Sequence, residues 1–238
     1  MQLDVLVFAA HPDDAELSAS GTIAKLIKQG KKVGIIDLTR GELGSRGSVE
    51  ERKTEAENSS KVLGISIREN LGFSDGFFEN NKEHQLKIIS VIRKYQPSII
   101  ICNAISDRHI DHGRASKMVS DSIFLSGLIK IETLENDQIQ KAWRPKFVLH
   151  YIQDRYIKPD LVVDITDTFD IKMKSILAFK SQFYNGDDSL PKTPISSKDF
   201  LDFVAARSRE FGRSIGVTFG EGFTVERPIG VNNLMDLI

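Results

Sequence analysis

The sequence predicts an α/β fold: a Rossmann-like, mostly parallel sheet with helices on both faces and a smaller C-terminal α+β extension. Two observations carry this. Short apolar runs, partly β-branched, alternate with amphipathic stretches of helical length. Polar loops follow those runs, as at the carboxyl ends of parallel strands, where open sheets bind ligands. With 238 residues the chain is long enough to bury a proper core, and residues 1–238 are expected to form a single domain.

The elements follow in order. Leu3 to Ala10 is short, apolar and partly β-branched, the pattern of a strand buried on both faces. From Glu16 to Gln29 the positions Leu17, Ile23, Leu26 and Ile27 suit a helix, and Gly30 suits its C-terminal cap. Val33 to Leu38 is a second strand, so the opening β-loop-α-β predicts a right-handed parallel crossover. A glycine-rich polar loop, Thr39 to Ser48, precedes a helix from Glu50 to Leu63 that ends at Gly64. Glu83 to Tyr95 is amphipathic and closes at Gln96-Pro97. Ser98 to Cys102 is a third clear strand, followed by a polar loop from Asn103 to His112 and a helical pattern from Gly113 to Leu125. Beyond Pro145, strands are expected at Phe147 to Ile152 and Leu161 to Ile165, and a helix at Thr168 to Phe183. A loop at 185–194, a helix from Phe200 to Phe211 and a loop-like stretch from Gly212 to Phe223 complete the expected extension over the sheet.

Bulk properties narrow the function. Apolar residues are 40% and charged residues 27%, an ordinary soluble composition. A net charge of -1 from 32 basic and 33 acidic side chains argues against a general polyanion binder, so no nucleic-acid partner is expected. Cys102 is the only cysteine, which excludes an internal disulfide and a cysteine-based zinc site. The first residues lack the basic segment and apolar core of a signal peptide. No apolar stretch approaches the ~20 residues that span a bilayer. A cytoplasmic enzyme with no membrane partner is the expectation.

Two loops carry the chemistry. His11-Pro12-Asp13-Asp14 ends the first strand, and Asp107-Arg108-His109-Ile110-Asp111-His112 follows the third. Adjacent ionised carboxylates repel, so a cation between them is expected. Zinc accepts imidazole nitrogen and carboxylate oxygen, and a catalytic site commonly has three protein ligands plus water. His11, Asp14 and His112 can supply those three, leaving Asp13 free to take a proton from the water. A carboxylate from Asp111 could orient His109, whose charged form could stabilise an oxyanion or donate to a leaving amine. Taken alone, Asp13 and Asp14 could instead simply cap the next helix. Fe2+ or Mn2+ could use the same nitrogen and oxygen ligands.

At these residues, Ala10-His11-Pro12-Asp13-Asp14 and His109-Ile110-Asp111-His112, the chain resembles the LmbE/PIG-L family of zinc-dependent N-acetylglucosamine deacetylases. The second box has Ile110 where the family usually has Pro. The segments GTIAKLIKQGKKVGIIDLTRGELGSRGS, ERKTEAENSSKVLGI, SDRHIDHGRAS, FKSQF, KTP and EGF resemble the branch that removes acetate from N-acetylglucosaminyl-malate in bacillithiol biosynthesis. The resemblance implies Zn2+ at His11, Asp14 and His112, Asp13 as general base, and His109 with Asp111 as oxyanion or acid partner. It also implies a Rossmann-like fold and a homo-oligomer, often a hexamer in related proteins.

Guanidinium groups suit a malate carboxylate, and Arg52 and Arg108 are the favoured partners. The competing role for Arg52 is an ion pair with Glu55 on its own helix. Arg40 and Arg46 lie in the glycine-rich loop and are weaker candidates. Two other functions remain open: a deacetylase or amidase acting on another N-acetylglucosaminyl conjugate, and a non-catalytic metal- or sugar-binding module. A nucleotide-binding Rossmann protein is disfavoured, because the first strand runs into HPDDAELSASG and not GxGxxG.

Overall fold

The structure is a computed structural model that describes residues 1–186 and 190–237. Residues 187–189 of the loop expected at 185–194 lie outside the described residues. In chain order the elements are β1 (Val5–Ala9), α1 (Asp14–Lys28), β2 (Val33–Thr39), α2 (Val49–Leu63), β3 (Ile67–Phe73), α3 (Lys82–Tyr95), β4 (Ile99–Cys102) and α4 (Ile110–Ser126). A small hairpin of β5 (Leu134–Glu135) and β6 (Gln138–Ile139) follows. Then come β7 (Phe147–Tyr151), β8 (Leu161–Asp164), α5 (Phe169–Leu177), α6 (Lys198–Ser214) and β9 (Gly220–Val225).

Seven strands form one sheet in the order β3-β2-β1-β4-β7-β9-β8. The first five in that order pair in parallel, while β9 runs antiparallel to both β7 and β8. The chain winds outward from β1 through β2 to β3, then resumes on the other side of β1 with β4. That reversal opens a crevice at the carboxyl ends of β1 and β4, the usual ligand position in an open sheet.

Burial explains the central strands. Every residue of β1 and β2 is buried. Leu6, Phe8 and Ala10 point into a core shared with α3 and α4, and Val5, Val7 and Ala9 into one shared with α1. The sheet is therefore covered on both faces. A third cluster joins Ala56 of α2, Ile176 of α5 and Val204 of α6 around Phe179 and Phe183.

Helix ends are fixed locally. Ser48 and Glu51 form a reciprocal capping box at the start of α2. Gly30, at φ 76°, closes α1: its N–H reaches Ile27 O and that of Lys31 reaches Leu26 O.

Three elements differ from expectation. The strand β3 was not foreseen, and β9 replaces much of the loop expected after Gly212. The helix expected to run to Phe183 stops at Leu177. In the last third of the chain β7, β9 and β8 extend the sheet sideways, and α6 packs over β9 and β8.

Candidate metal centre

Both polar loops meet at the crevice. His11, Asp13, Asp14, His109 and His112 line a single cavity of about 290 Å³, with Arg52 and Arg108 also on its wall. Asp111 lies fully buried behind His11.

The two adjacent aspartates diverge. Asp13 precedes α1 with φ 115°, a left-handed conformation that a non-glycine residue adopts at a cost of order 1–3 kcal/mol. Its side chain caps nothing; Oδ2 lies 3.2 Å from Arg52 Nη2. Burial pushes the Asp13 carboxyl up to about 7, against the opposing pull of the Arg52 charge. Asp14 turns inward. Its Oδ2 accepts from His11 N (2.9 Å) and Asn103 Nδ2 (3.0 Å), and its Oδ1 accepts from Gln153 Nε2 (3.0 Å). Burial opposes its charge, but His112 and His11 hold its pKa well below the usual carboxylate range.

Asp14 also bridges the two imidazoles. His11 Nδ1 is 3.5 Å from Asp14 Oδ2, and His112 Nε2 is 3.1 Å from Asp14 Oδ1. Ligand atoms about 2.0–2.2 Å from a tetrahedral ion stand roughly 3.3–3.6 Å apart, so each imidazole lies near ligand distance of the carboxylate, each on a different oxygen. The opposite ring nitrogens are each held by a carboxylate. His11 Nε2 lies 3.0 Å from Asp75 Oδ1 and 3.3 Å from Asp111 Oδ2, while His112 Nδ1 lies 2.5 Å from Asp107 Oδ2. Such contacts fix the tautomer and leave the inward nitrogen as a donor to metal. Burial disfavours charge on both rings, yet these carboxylates prevail, raising His11 well above its ordinary value and His112 to about 9. A cation would replace those protons, so the donor set of two imidazoles and a carboxylate fits a divalent ion of the zinc class.

Two groupings hold one ligand atom per residue within 4.8 Å of one another, His11 with His109 and His112, and His11 with Asp75 and Asp111, whereas Asp14 meets His11 and His112 through different oxygens. His109 is differently disposed from the other two rings. Its Nδ1 accepts from the N–H of Asp111, which places its own proton on Nε2. Burial and the neighbouring charges on His11 and His112 lower its pKa. It is thus a neutral imidazole carrying an N–H donor. The Asp111 carboxylate meets His11, Gly76 N and Arg114 instead, so the expected carboxylate orientation of His109 is not made.

Both favoured arginines are engaged within the protein. Arg52 donates to Gly41 O, Pro12 O and Asp13 Oδ2, tying the HPDD loop to the glycine-rich loop. Glu55, its expected helical partner, accepts from Ser181 N and Oγ. Arg108 is exposed and pairs with Asp154 at 2.8 Å. Arg46 is buried with Nε and Nη2 unpartnered, but it does not line the cavity. Sequence reasoning did not single out Asn103, Asp75 or Gln153, and it gave Asp107, in the second string, no role. Asn103 and Gln153 follow β4 and β7 closely, and that strand-end position was the available signal.

Residues 6–123 match the PIG-L family, described as GlcNAc-PI de-N-acetylase. A solved structure of a conserved protein from Thermus thermophilus superimposes with a TM-score of 0.86 at 33% identity, covering 98% of this chain and 99% of that one. The chain belongs to the PIG-L family. Two curated PIG-L-like relatives extend the comparison. Diacetylchitobiose deacetylase of Thermococcus kodakarensis is 29% identical over 195 residues, 75% of this chain and 70% of that protein. A probable N-acetyl-alpha-D-glucosaminyl L-malate deacetylase 2 of Bacillus cereus is 29% identical over 201 residues, 76% and 84% respectively. The family is one of deacetylases, and a candidate metal site is present where both PIG-L boxes converge. No helix among the described residues is long and apolar enough to cross a membrane.

Proposed function

We propose that this PIG-L protein is a divalent-metal hydrolase that removes acetate from the amide nitrogen of an N-acetylglucosaminyl conjugate. His11, Asp14 and His112 would hold the ion, Zn2+ first and Fe2+ or Mn2+ as alternatives. When bound, the ion supplies Lewis acidity, polarising the amide carbonyl and lowering the pKa of water toward about 7.

The observation that carries the reading is the separation of the paired aspartates. Asp14 enters the ligand cluster, whereas Asp13 is held in a strained conformation with its carboxyl pushed up to about 7. A group poised near neutrality suits a general base. Asp13 takes a proton from the attacking water as its oxygen bonds to the carbonyl carbon. The Nε2–H of His109 donates to the developing oxyanion. The C–N bond then breaks, a proton passes to the nitrogen, and acetate and a free amine leave. A non-catalytic binding module would have no use for the strain at Asp13.

Within this class, N-acetylglucosaminyl-malate is the conjugate to test first, in line with the Bacillus cereus relative. Arg108 is the cation that could meet its carboxylate, because an exposed pair such as Arg108–Asp154 is worth only about 0–1 kcal/mol and exchanges readily. The deciding experiment joins metal analysis to a free-amine assay on N-acetylglucosamine, diacetylchitobiose and N-acetylglucosaminyl-malate. Amine release that needs the bound metal supports the proposal; metal bound with no amine from any of the three rejects it.

A further inference from the structure

The cavity runs on past the metal centre. Beyond Asp14 its wall is built by Leu17 of α1, Ile152 after β7, and Phe200, Phe203 and Phe211 of α6. Leu17 is the one residue between Asp14 and Ala24 of α1 that is not buried. Phe203 is 38% exposed, its ring 5.9 Å from that of Phe200. Large apolar groups facing a cavity beside a polar centre are what a ligand pocket presents.

Two cations on this wall hold contacts within the protein. Lys172 pairs with Glu221 at 2.7 Å. Arg207 donates to the carbonyls of Gln153 and Asp154, with its guanidinium 4.7 Å from the Phe203 ring centre. A carboxylate laid on the rings of Phe200 and Phe203 themselves would lose water and gain no hydrogen bond from them. An aryl or alkyl group would lose nothing and would cover the two rings.

Resting on the deacetylase reading above, we propose that the substrate carries, besides the amide to be cleaved, an apolar group that packs on the α6 wall at Phe203. That group could belong to the aglycone or to an acyl chain longer than acetyl. Both present the same chemistry to the wall.

The test uses the metal-loaded full chain. Free-amine release is compared for N-acetylglucosamine, its phenyl glycoside, N-butanoylglucosamine and N-acetylglucosaminyl-malate. The expected result is a kcat/KM at least about tenfold higher for one apolar compound than for N-acetylglucosamine, a discrimination that apolar pockets commonly reach. The phenyl and butanoyl arms tell aglycone from acyl chain. In Phe203→Ala the ratio falls toward one. Calorimetric affinities for phenyl glucosaminide and glucosamine give the same ratio without turnover. Amine release with ratios near one in both arms, or a malate preference untouched by Phe203→Ala, overturns the wall. An affinity ratio lost in Phe203→Ala, with no amine from any compound, keeps the wall and overturns the deacetylase reading. If neither rate nor affinity discriminates, the wall is rejected.

Discussion

At the residue scale, the site balances protons against a cation. His112 is held at about 9 by Asp14 and Asp107 despite burial, so in the metal-free protein at pH 7 it carries a proton. A metal must displace that proton from the nitrogen facing Asp14. Binding should therefore release protons, and apparent affinity should rise about tenfold per pH unit for each proton displaced. Titration calorimetry in two buffers of different ionisation enthalpy measures this; zero release would contradict the ligand assignment. Asp13 gives the second expectation. Burial raises its pKa to about 7 in the metal-free protein, a cation beside Asp14 would lower it, and Asp13→Asn should lower kcat by about 10²–10⁴ while metal content stays near one ion per chain. The six residues from His11 to His112 that carry these arguments were legible because they sit in two dense strings, each placed just after an apolar run. Asp75, Asn103 and Gln153 were not, because single polar residues in loops carry no pattern until folding shows what they touch, and Asp107, inside the second string, gains its role only from its contact with His112. Arg52 was legible as a cation near the crevice, but only packing shows that its fork is spent on two carbonyls and Asp13.

At the element scale, two devices hold the site's supports. The carboxylate of Glu221 in β9 accepts from the N–H groups of Gly21 and Thr22, in the middle of α1. The Lys172 ammonium of α5 donates to the carbonyls of Glu16 and Leu17 and pairs with Glu221. A buried ion pair thus reaches into the backbone of the helix that begins at Asp14. Lys172→Met leaves the buried Glu221 charge without its counter-ion, and should destabilise the fold by about 3–5 kcal/mol, read by urea denaturation. The second device is Gly41, at φ 67°, where a Cβ would stand 1.8 Å from Arg52 Nη1. Gly41→Ala should displace the Arg52 clamp and lower kcat by about 10²-fold with metal still bound, since small misplacements of catalytic groups are costly. An unchanged kcat would show that the clamp does not position Asp13. The elements that sequence reading missed have physical reasons. The edge strand β3, IRENLGF, is mostly half-exposed and carries charges on a short run. The strand β9, GEGFTV, reads as loop because of its glycines, yet a Cβ at Gly220 would meet Val162 and the Gly212 backbone at 2.7–2.9 Å. Those glycines are there for the close approach of α6, a tertiary demand that no local pattern reveals.

At the scale of the whole molecule, the sheet order converts sequence distance into proximity. Loops after β1 and β4 stand side by side because those strands are neighbours, and Gln153 joins from β7, the next strand over. An ion gripped by His11, Asp14 and His112 would therefore cross-link segments about a hundred residues apart at the centre of the sheet. The unfolded chain keeps no such site, so binding favours the folded state alone. At a free concentration 100 times Kd the added stability is about 2.7 kcal/mol. For a chain of this size about 1 kcal/mol moves Tm by roughly 2–4 °C, which gives about 5–10 °C between metal-loaded and chelator-treated protein. His112→Ala should abolish that difference, because it removes the only ligand contributed from beyond β4. Calorimetric scans of both proteins, with and without chelator, give the comparison. A shift that survives in His112→Ala would place the ion elsewhere, with the group formed by His11, Asp75 and Asp111 as the next position to test.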